Sequence, residues 1–388
     1  MIYDLPPKQD GPVAAVVLAA GFSERMGRFK PLLPLGASRA IERVTNMFLA
    51  AGVREILVVT GHRAAEIRQA LAPSKARCVE NPDYPEGMYT SVLAGVRALP
   101  AQCRAFFIHP VDIPLVRFQT VERLMRALDE SRAEAVYPVF KGRRGHPTLI
   151  RACLIKEILE WSGTGGLRVL LKRHEDDCME LAVADEAVLL DLDTPADYSR
   201  MLGRLINEGL PSEDECRVLM DEIQALPPAI AAHCRAVAAV ARRLAGALNA
   251  AGIGVNVELA HTAAMLHDIA RTERHHARAG AQLLAGHGFT RIAPLVASHM
   301  DLEVETGRPV DEAQIVFLAD KLIAGERRVD LEQRFARKID KYGRTPAAAA
   351  GIVRRRENAR RIQAEVERIT GFAIADIVGP AGPLKTEQ

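Results

Sequence analysis

The chain is short of several things that would each point to a function class. Its six cysteines (78, 103, 153, 178, 216 and 234) are scattered, with no C-x-x-C pair. Neither a disulfide framework nor a thiolate metal site is written into it, and a reduced, cytoplasmic setting is expected. Neither sign of charge dominates, with 51 Lys and Arg against 49 Asp and Glu. No whole-molecule field draws it to nucleic acid or a membrane surface, so any phosphate must be held locally. No apolar run approaches the roughly 20 residues of a membrane span; the longest extends from Val13 to Ala20. Aromatics are only 5% of a chain that is 48% hydrophobic, which implies a core of Ala, Leu, Val and Ile. At 388 residues the chain exceeds one ordinary core, and two domains are expected.

What is present changes character near residue 205. Before it, VAAVVLA (13–19), EILVVTG (55–61), RAFFIHP (104–110) and EAVYPVF (134–140) read as buried strands, and 38–51, 63–72, 89–99 and 117–130 have helical periodicity. Such alternation predicts βαβ crossovers and a mostly parallel sheet. After it the strands stop. Ser212 with Glu215 forms a capping box that starts a fresh helix, and 229–250, 256–271, 275–286, 290–299, 311–326 and 346–370 read as helices joined by turns. The expected domains are 11–207, an α/β Rossmann-like sheet, and 212–372, all-α.

The first strand runs into LAAGFSERMGRFKPLLPLG (18–36). Gly21 and Gly27 permit a tight turn with amides aimed at a phosphate, and Arg25 and Lys30 supply charge for a triphosphate. The loop fits neither G-x-G-x-x-G nor G-x-x-x-x-G-K-[ST], and glycine spacing alone reads equally as an ordinary βα turn. The whole string, however, resembles the signature of nucleotidyltransferases related to molybdenum cofactor cytidylyltransferase. The resemblance continues in order through NPDYPEGMYTSVLAG (81–95), PVDIP (110–114), GRRGHPTLI (142–150) and DLDTPADY (191–198).

That resemblance implies transfer of an NMP from an NTP to a phosphorylated acceptor with release of pyrophosphate, using magnesium. Carried over by position, Leu18, Ala19, Ala20, Gly21, Ser23, Arg25, Gly27, Lys30, Gly87 and Ser91 would bind the nucleotide. Lys30 and Arg25 would neutralise transition-state charge. Asp112, at the carboxyl end of a strand where open α/β sheets place ligands, is the first choice for a magnesium ligand and a catalytic residue. Asp193 is either a second ligand or the N-cap of the helix beginning at Pro195, and Asp191 ranks below both. His146 is either an acceptor contact or a structural hydrogen-bonding group. Ala20 before Gly21 and Arg28 after Gly27 depart from the glycine-richer loop of the guanylyl branch and favour CTP. His109 and Ile113, flanking Asp112, depart from the cytidylyl pattern and leave the acceptor less defined than the reaction; molybdopterin is the acceptor the family suggests, with a sugar phosphate or phosphocholine as alternatives.

In the second half His233, the adjacent pair His267 and Asp268, His276, His299 and Asp320 are dispersed over separate helices, as ligands are in bundle metal sites. Imidazole with carboxylate suits iron, manganese or magnesium. The run HCRAVAAVARRLA, AAMLHDIAR, HHARAGAQLL, VASHM, IVFLADKL resembles HD-domain metal-dependent phosphohydrolases, most of all bacterial enzymes that split diadenosine tetraphosphate symmetrically at a dinuclear centre. By that resemblance the six residues are metal ligands, with Asp268 shared between two ions, iron or manganese in the family pattern, and catalytic. Arg271 is expected to clamp a phosphate or cap its helix. Lys321 and Arg327 are phosphate contacts or solvated side chains. His261, His275 and His287 match no ligand position. A hydrolytic HD half and a nucleotide-sensing one are both compatible with the pattern, and helical surfaces over 212–371 are a candidate homodimer face.

Overall fold

The computed structural model describes residues 11–304 and 308–383. Two compact units divide between Glu208 and Gly209.

The first unit is built on β1 (Val13–Ala19), whose unbroken Val, Ala and Leu run is buried from Ala14 onward. Such a run suits a strand covered on both faces. α1 (Ala40–Ala50), β2 (Glu55–Thr60), α2 (Ala64–Leu71), β3 (Arg77–Glu80), α3 (Met88–Arg97), β4 (Ala105–Pro110) and α4 (Phe118–Asp129) follow in alternation. β5 (Ala135–Phe140), the short β6 (Arg143–Arg144), β7 (Thr148–Arg151), α5 (Ile155–Glu160), α6 (Gly166–Lys172), β8 (Cys178–Ala182) and α7 (Pro195–Ile206) complete the unit. The sheet order is β8-β5-β7-β4-β1-β2-β3, with β6 paired to β5. β1 runs parallel to β2 and β4, β2 to β3, and β5 to β8. β7 is antiparallel to both β4 and β5. It lies in the stretch GRRGHPTLI and was not foreseen as a strand, because four residues carry too little alternation.

Register sets up the site. Leu18 pairs with Pro110 and Ala19 with Thr60, so β1, β2 and β4 end level. The loops that follow them crowd one edge of the sheet, the carboxyl edge where such folds bind ligands.

The second unit starts with the expected capping box: Ser212 Oγ accepts from Glu215 N at the head of α8 (Glu213–Arg217). α9 (Pro228–Ala250) opens with proline in its first turn, where no amide is lost. It packs against α10 (Val257–Leu266) and α13 (Glu312–Leu322), with α11 (His276–Gly286) and α12 (Ala293–Ser298) between them in sequence. The strands do not stop after residue 205. β9 (Ile323–Ala324), β10 (Arg327–Arg328) and β11 (Gly382–Pro383) form a small antiparallel sheet. The helix expected over 311–326 ends at Leu322, and Gly325, with φ 60, takes the left-handed turn a hairpin needs. The helix expected over 256–271 ends at Leu266. α14 (Leu331–Tyr342) was not foreseen; α15 (Pro346–Thr370) was, and α16 (Ile374–Val378) follows it, ahead of β11.

Candidate functional site

In the first unit the loop after β1 coils through two short 3-10 turns, Glu24–Met26 and Lys30–Leu32. Ser23 and Gly27 adopt left-handed backbone, φ 63 and 65, whereas Gly21, expected to make the tight turn, does not. Ser23 Oγ accepts from Lys30 N at 3.1 Å, so this hydroxyl closes the loop and aims Lys30. Leu18 O and Ala20 O accept from Val111 N and His62 N, tying Leu18, Ala19 and Ala20 into the scaffold. A side chain at Gly21 would meet nothing within 4 Å, so the loop faces open space there.

Lys30 Nζ lies 2.5 Å from Asp193 Oδ1 and 3.3 Å from Asp112 Oδ2, and Arg25 Nη2 lies 2.9 Å from Asp193 Oδ2. Leu192 N donates to Asp112 O at 2.8 Å, which pins the 191–193 segment to the end of β4. Asp193 is not the helix cap. Thr194 caps α7, accepting from Asp197 N at 3.2 Å, so Asp193 keeps both oxygens for the cations. Asp191 joins them: burial, then the charges of Asp112 and Asp193, push its carboxyl up. Asp112, Asp191, Asp193, Arg25 and His146 line one cleft of about 940 Å³. Three carboxylates offer oxygen donors of the kind magnesium takes, and the mutual repulsion at Asp191 is what a bound dication would relieve.

Gly87, φ 122, precedes α3. Ser91 is buried and accepts from Asn81 Nδ2 at 3.0 Å, so it braces the loop from beneath. Sequence reasoning passed over Asn81, which also donates to Thr90 Oγ1 and accepts from Asp83 N. A side-chain amide that ties one loop to the next helix has no spacing signature. His146 is half-buried in the cleft wall, with its Nδ1 buried and unpartnered, and desolvation lowers its pKa. His109 turns inward, its Nε2 donating to Ile113 O at 2.9 Å; burial, reinforced by His146, holds it neutral, down to about 3.

In the second unit the six expected residues converge. His233 is in the second turn of α9, His267 and Asp268 follow α10, His276 begins α11, His299 follows α12 and Asp320 is near the end of α13. Asp268 Oδ1 lies 3.3 Å from His276 Nε2 and 3.5 Å from His299 Nε2, and its Oδ2 is 3.6 Å from His267 Nε2. Asp320 Oδ1 lies 3.4 Å from His233 Nε2 and 3.9 Å from His267 Nε2. His267 thus belongs to two clusters, one with His233 and Asp320, the other with Asp268 and His299.

The backbone decides which nitrogen faces inward. Nδ1 of His233, His267 and His299 donates to the carbonyls of Gly325, Ala264 and Val296 at 2.9, 2.7 and 2.7 Å. A ring that donates through Nδ1 while neutral presents a lone pair at Nε2. Burial pushes His267 down to about 4, so that lone pair is free at neutral pH. His267 Nε2, His299 Nε2 and Asp268 Oδ1 are buried without hydrogen-bond partners, and buried polar atoms without partners are costly. Burial would raise the Asp268 carboxyl, yet His276 and His299 hold it well below its usual range. Converging lone pairs and anionic oxygens fit divalent metal.

Arg271, half exposed, reaches across the mouth, 3.6 Å from Asp268 Oδ1 and 3.0 Å from His276 Nε2. Lys321 is neither a phosphate contact nor a solvated side chain. Its side chain is 2% exposed, and Nζ donates to Asp320 Oδ2 at 2.5 Å and to His299 O at 3.0 Å. It is a buried brace that holds the carboxylate of Asp320 and the backbone of His299. Arg334, which sequence reasoning missed, approaches Asp320 Oδ1 at 3.5 Å from α14. His261 points away, its Nδ1 donating to Ala238 O at 3.1 Å, and His275 stands at the head of α11 outside the cluster.

A family profile described as "MobA-like NTP transferase domain" matches residues 15–179, and one described as "HD domain" matches residues 230–325. The nicotine blue oxidoreductase of Paenarthrobacter nicotinovorans is 32% identical over 197 residues, which are 49% of this chain and 96% of that protein. The chain belongs to the MobA-like NTP transferase family. Its second unit carries an HD domain. The molybdenum cofactor cytidylyltransferase of Escherichia coli strain K12 is 29% identical to this MobA-like chain over 188 residues, 48% of the chain and 93% of the relative. A bifunctional IPC transferase and DIPP synthase of Rubrobacter xylanophilus is 41% identical over 120 residues, 29% of the chain and 27% of that relative. Since one relative is named an oxidoreductase, membership of the MobA-like family leaves the reaction to be argued from the site. Among the described residues no helix is long and apolar enough to cross a membrane.

Proposed function

We propose that the first unit transfers CMP from CTP to a small phosphorylated acceptor, molybdopterin being the best candidate, and that the second hydrolyses a phosphoester. The observation that supports transfer most directly is Lys30 held between Asp112 and Asp193 with Arg25 beside it, at the ligand-binding edge of the sheet. In-line attack of an acceptor phosphate on the α-phosphate brings two anions together. Catalysis there is mainly positioning and charge neutralisation. Lys30 and Arg25 supply that charge from a loop whose shape Ser23 fixes, and Asp112, Asp191 and Asp193 would hold magnesium, which when bound adds charge neutralisation on the triphosphate. Ala20 and Arg28, in place of the glycines of guanylyl enzymes, favour a pyrimidine.

For hydrolysis, His233, His267 and Asp320 would hold one divalent ion and His276 and His299 another, with Asp268 contributing to both, iron or manganese fitting the donors. Such ions supply Lewis acidity and lower the pKa of water. Arg271 is placed to receive a substrate phosphate at the mouth. The test is pyrophosphate release from each of the four NTPs in the presence of molybdopterin. Release with CTP alone is expected; release only with GTP would move the chain to the guanylyl branch, and no release with any NTP would sink the transferase reading.

A further inference from the structure

α12 ends at Ser298, and the chain then runs through His299, Met300, Asp301 and Leu302. This segment contributes twice to the helical centre. His299 places its Nε2 3.5 Å from Asp268 Oδ1, and Met300 lines the recess of about 310 Å³ that also contains His233, Asp268 and Asp320. α12 has only six residues, and so short a helix takes its position from tertiary contacts rather than from its own stability. The course of the segment after it must be fixed from outside.

α15 fixes it. Arg355 donates from Nε to Asp301 Oδ1 and from Nη2 to Asp301 Oδ2, each at 2.8 Å, and Arg354 Nη2 adds a contact to Oδ1 at 3.2 Å. Asn358, buried, donates its Nδ2 to Leu302 O at 2.7 Å. Asn358 follows Arg354 by four residues and Arg355 by three, so the three side chains share one face of the helix. From α13, Lys321 Nζ donates to His299 O at 3.0 Å, and the segment is tied at 299, 301 and 302. Asp301 is half exposed, and an ion pair there adds little to the stability of the whole unit. A planar fork on two carboxylate oxygens adds geometry instead. α15 lies beyond residues 230–325, the stretch that matches the HD domain.

We propose that α15 is a positioning element of the helical metal centre: Arg354, Arg355 and Asn358 hold the 299–302 segment so that His299 presents its Nε2 to the ion it would share with Asp268 and His276. This rests on the reading above in which those residues hold metal. It adds three positioning residues that touch none of the donor atoms, and it places the support of one ion, rather than of both, on a helix outside the matched domain.

The test uses full-length protein carrying Asp112→Ala, which removes a carboxylate from the transferase cleft, loaded with manganese and dialysed against a chelator series. In Arg354→Gln with Arg355→Gln, one ion should leave at about tenfold lower chelator concentration, the low end of what losing a ligand's support costs, while the other leaves as in the parent and the thermal midpoint stays close to the parent's. Arg355→Lys, which keeps the charge and loses the fork, should fall between parent and double variant, and Asn358→Leu should act in the same direction. A second readout needs no metal: in metal-stripped, histidine-labelled protein the imidazole resonances of His299 should shift in the double variant while those of His233 stay. Loss of both ions in step with a lowered thermal midpoint would overturn the proposal and leave α15 a general brace, as would ion release unchanged from the parent's. A parent that takes up no manganese sinks the metal reading; a selective His299 shift then supports the positioning role of α15, and its absence overturns it.

Discussion

The two centres handle charge in opposite ways. At the sheet edge, Asp112 and Asp193 are answered by protein cations, Lys30 and Arg25, on a loop that faces open space. At the helical centre, Asp268 faces imidazoles whose Nε2 lone pairs are aimed inward, and three of the central polar atoms have no partner. The first arrangement is suited to ligands that arrive and leave with their charge; the second has the donor set to hold ions that stay. Loops position the first set of groups, whereas backbone carbonyls of α10, α12 and the β9–β10 turn orient the second.

That contrast can be broken most sharply at Asp268. Asp268→Ala removes the carboxylate that faces His267, His276 and His299, so metal bound per chain should drop and phosphoester turnover should vanish, as read by metal analysis and a phosphatase assay. If metal content is retained, Asp268 is not a ligand. Lys30→Ala is the counterpart at the sheet edge. Loss of one preorganised charge costs about 10²–10³ in kcat, and metal content of the helical centre should not change; a fall in that metal would show that the two centres are not separate.

Lys321→Met probes the brace. It leaves Asp320 Oδ2 and His299 O without their buried donor, and disturbing such a support typically weakens metal binding about 10–100-fold. Dialysis against a chelator series reads this, and unaltered affinity would reduce Lys321 to packing. His109 gives a milder, pH-dependent effect. Its pKa is about 3 in the fold and near 6.5 unfolded, so between those values the unfolded chain binds the extra proton and stability falls as pH falls. The slope is about 1.4 kcal/mol per pH unit at most. His109→Leu should flatten that part of the denaturation midpoint against pH; an unchanged profile would mean another group sets it.

Much of both sites was legible because their chemistry is ordered in sequence. The loop within 18–36 follows a strand, and six candidate ligands recur on successive helices, so patterns of residue type and order carry them. What was not legible depends on burial and on partners distant in sequence. Lys321 reads as a surface lysine until α12 and α13 are brought together, and Asn81 acts through hydrogen bonds with no periodic trace. Asp193 read equally as a ligand or as a cap, because Pro195 follows it, and Thr194, one residue nearer, takes the cap role. α14 was hidden by composition: LEQRFARKIDKY has few apolar residues, and its buried face is anchored by Leu331 and Phe335, too few to announce a helix. The short strands β7, β9 and β10 escaped for the same reason, since two to four residues hold no alternation to read.

The central claim is that one chain carries two separate chemistries, and pyrophosphate release from CTP with molybdopterin, compared across the wild type, Asp112→Ala and Asp268→Ala, tests it most directly. The account predicts release that persists in Asp268→Ala and disappears in Asp112→Ala. Release lost in Asp268→Ala, or retained in Asp112→Ala, would contradict it.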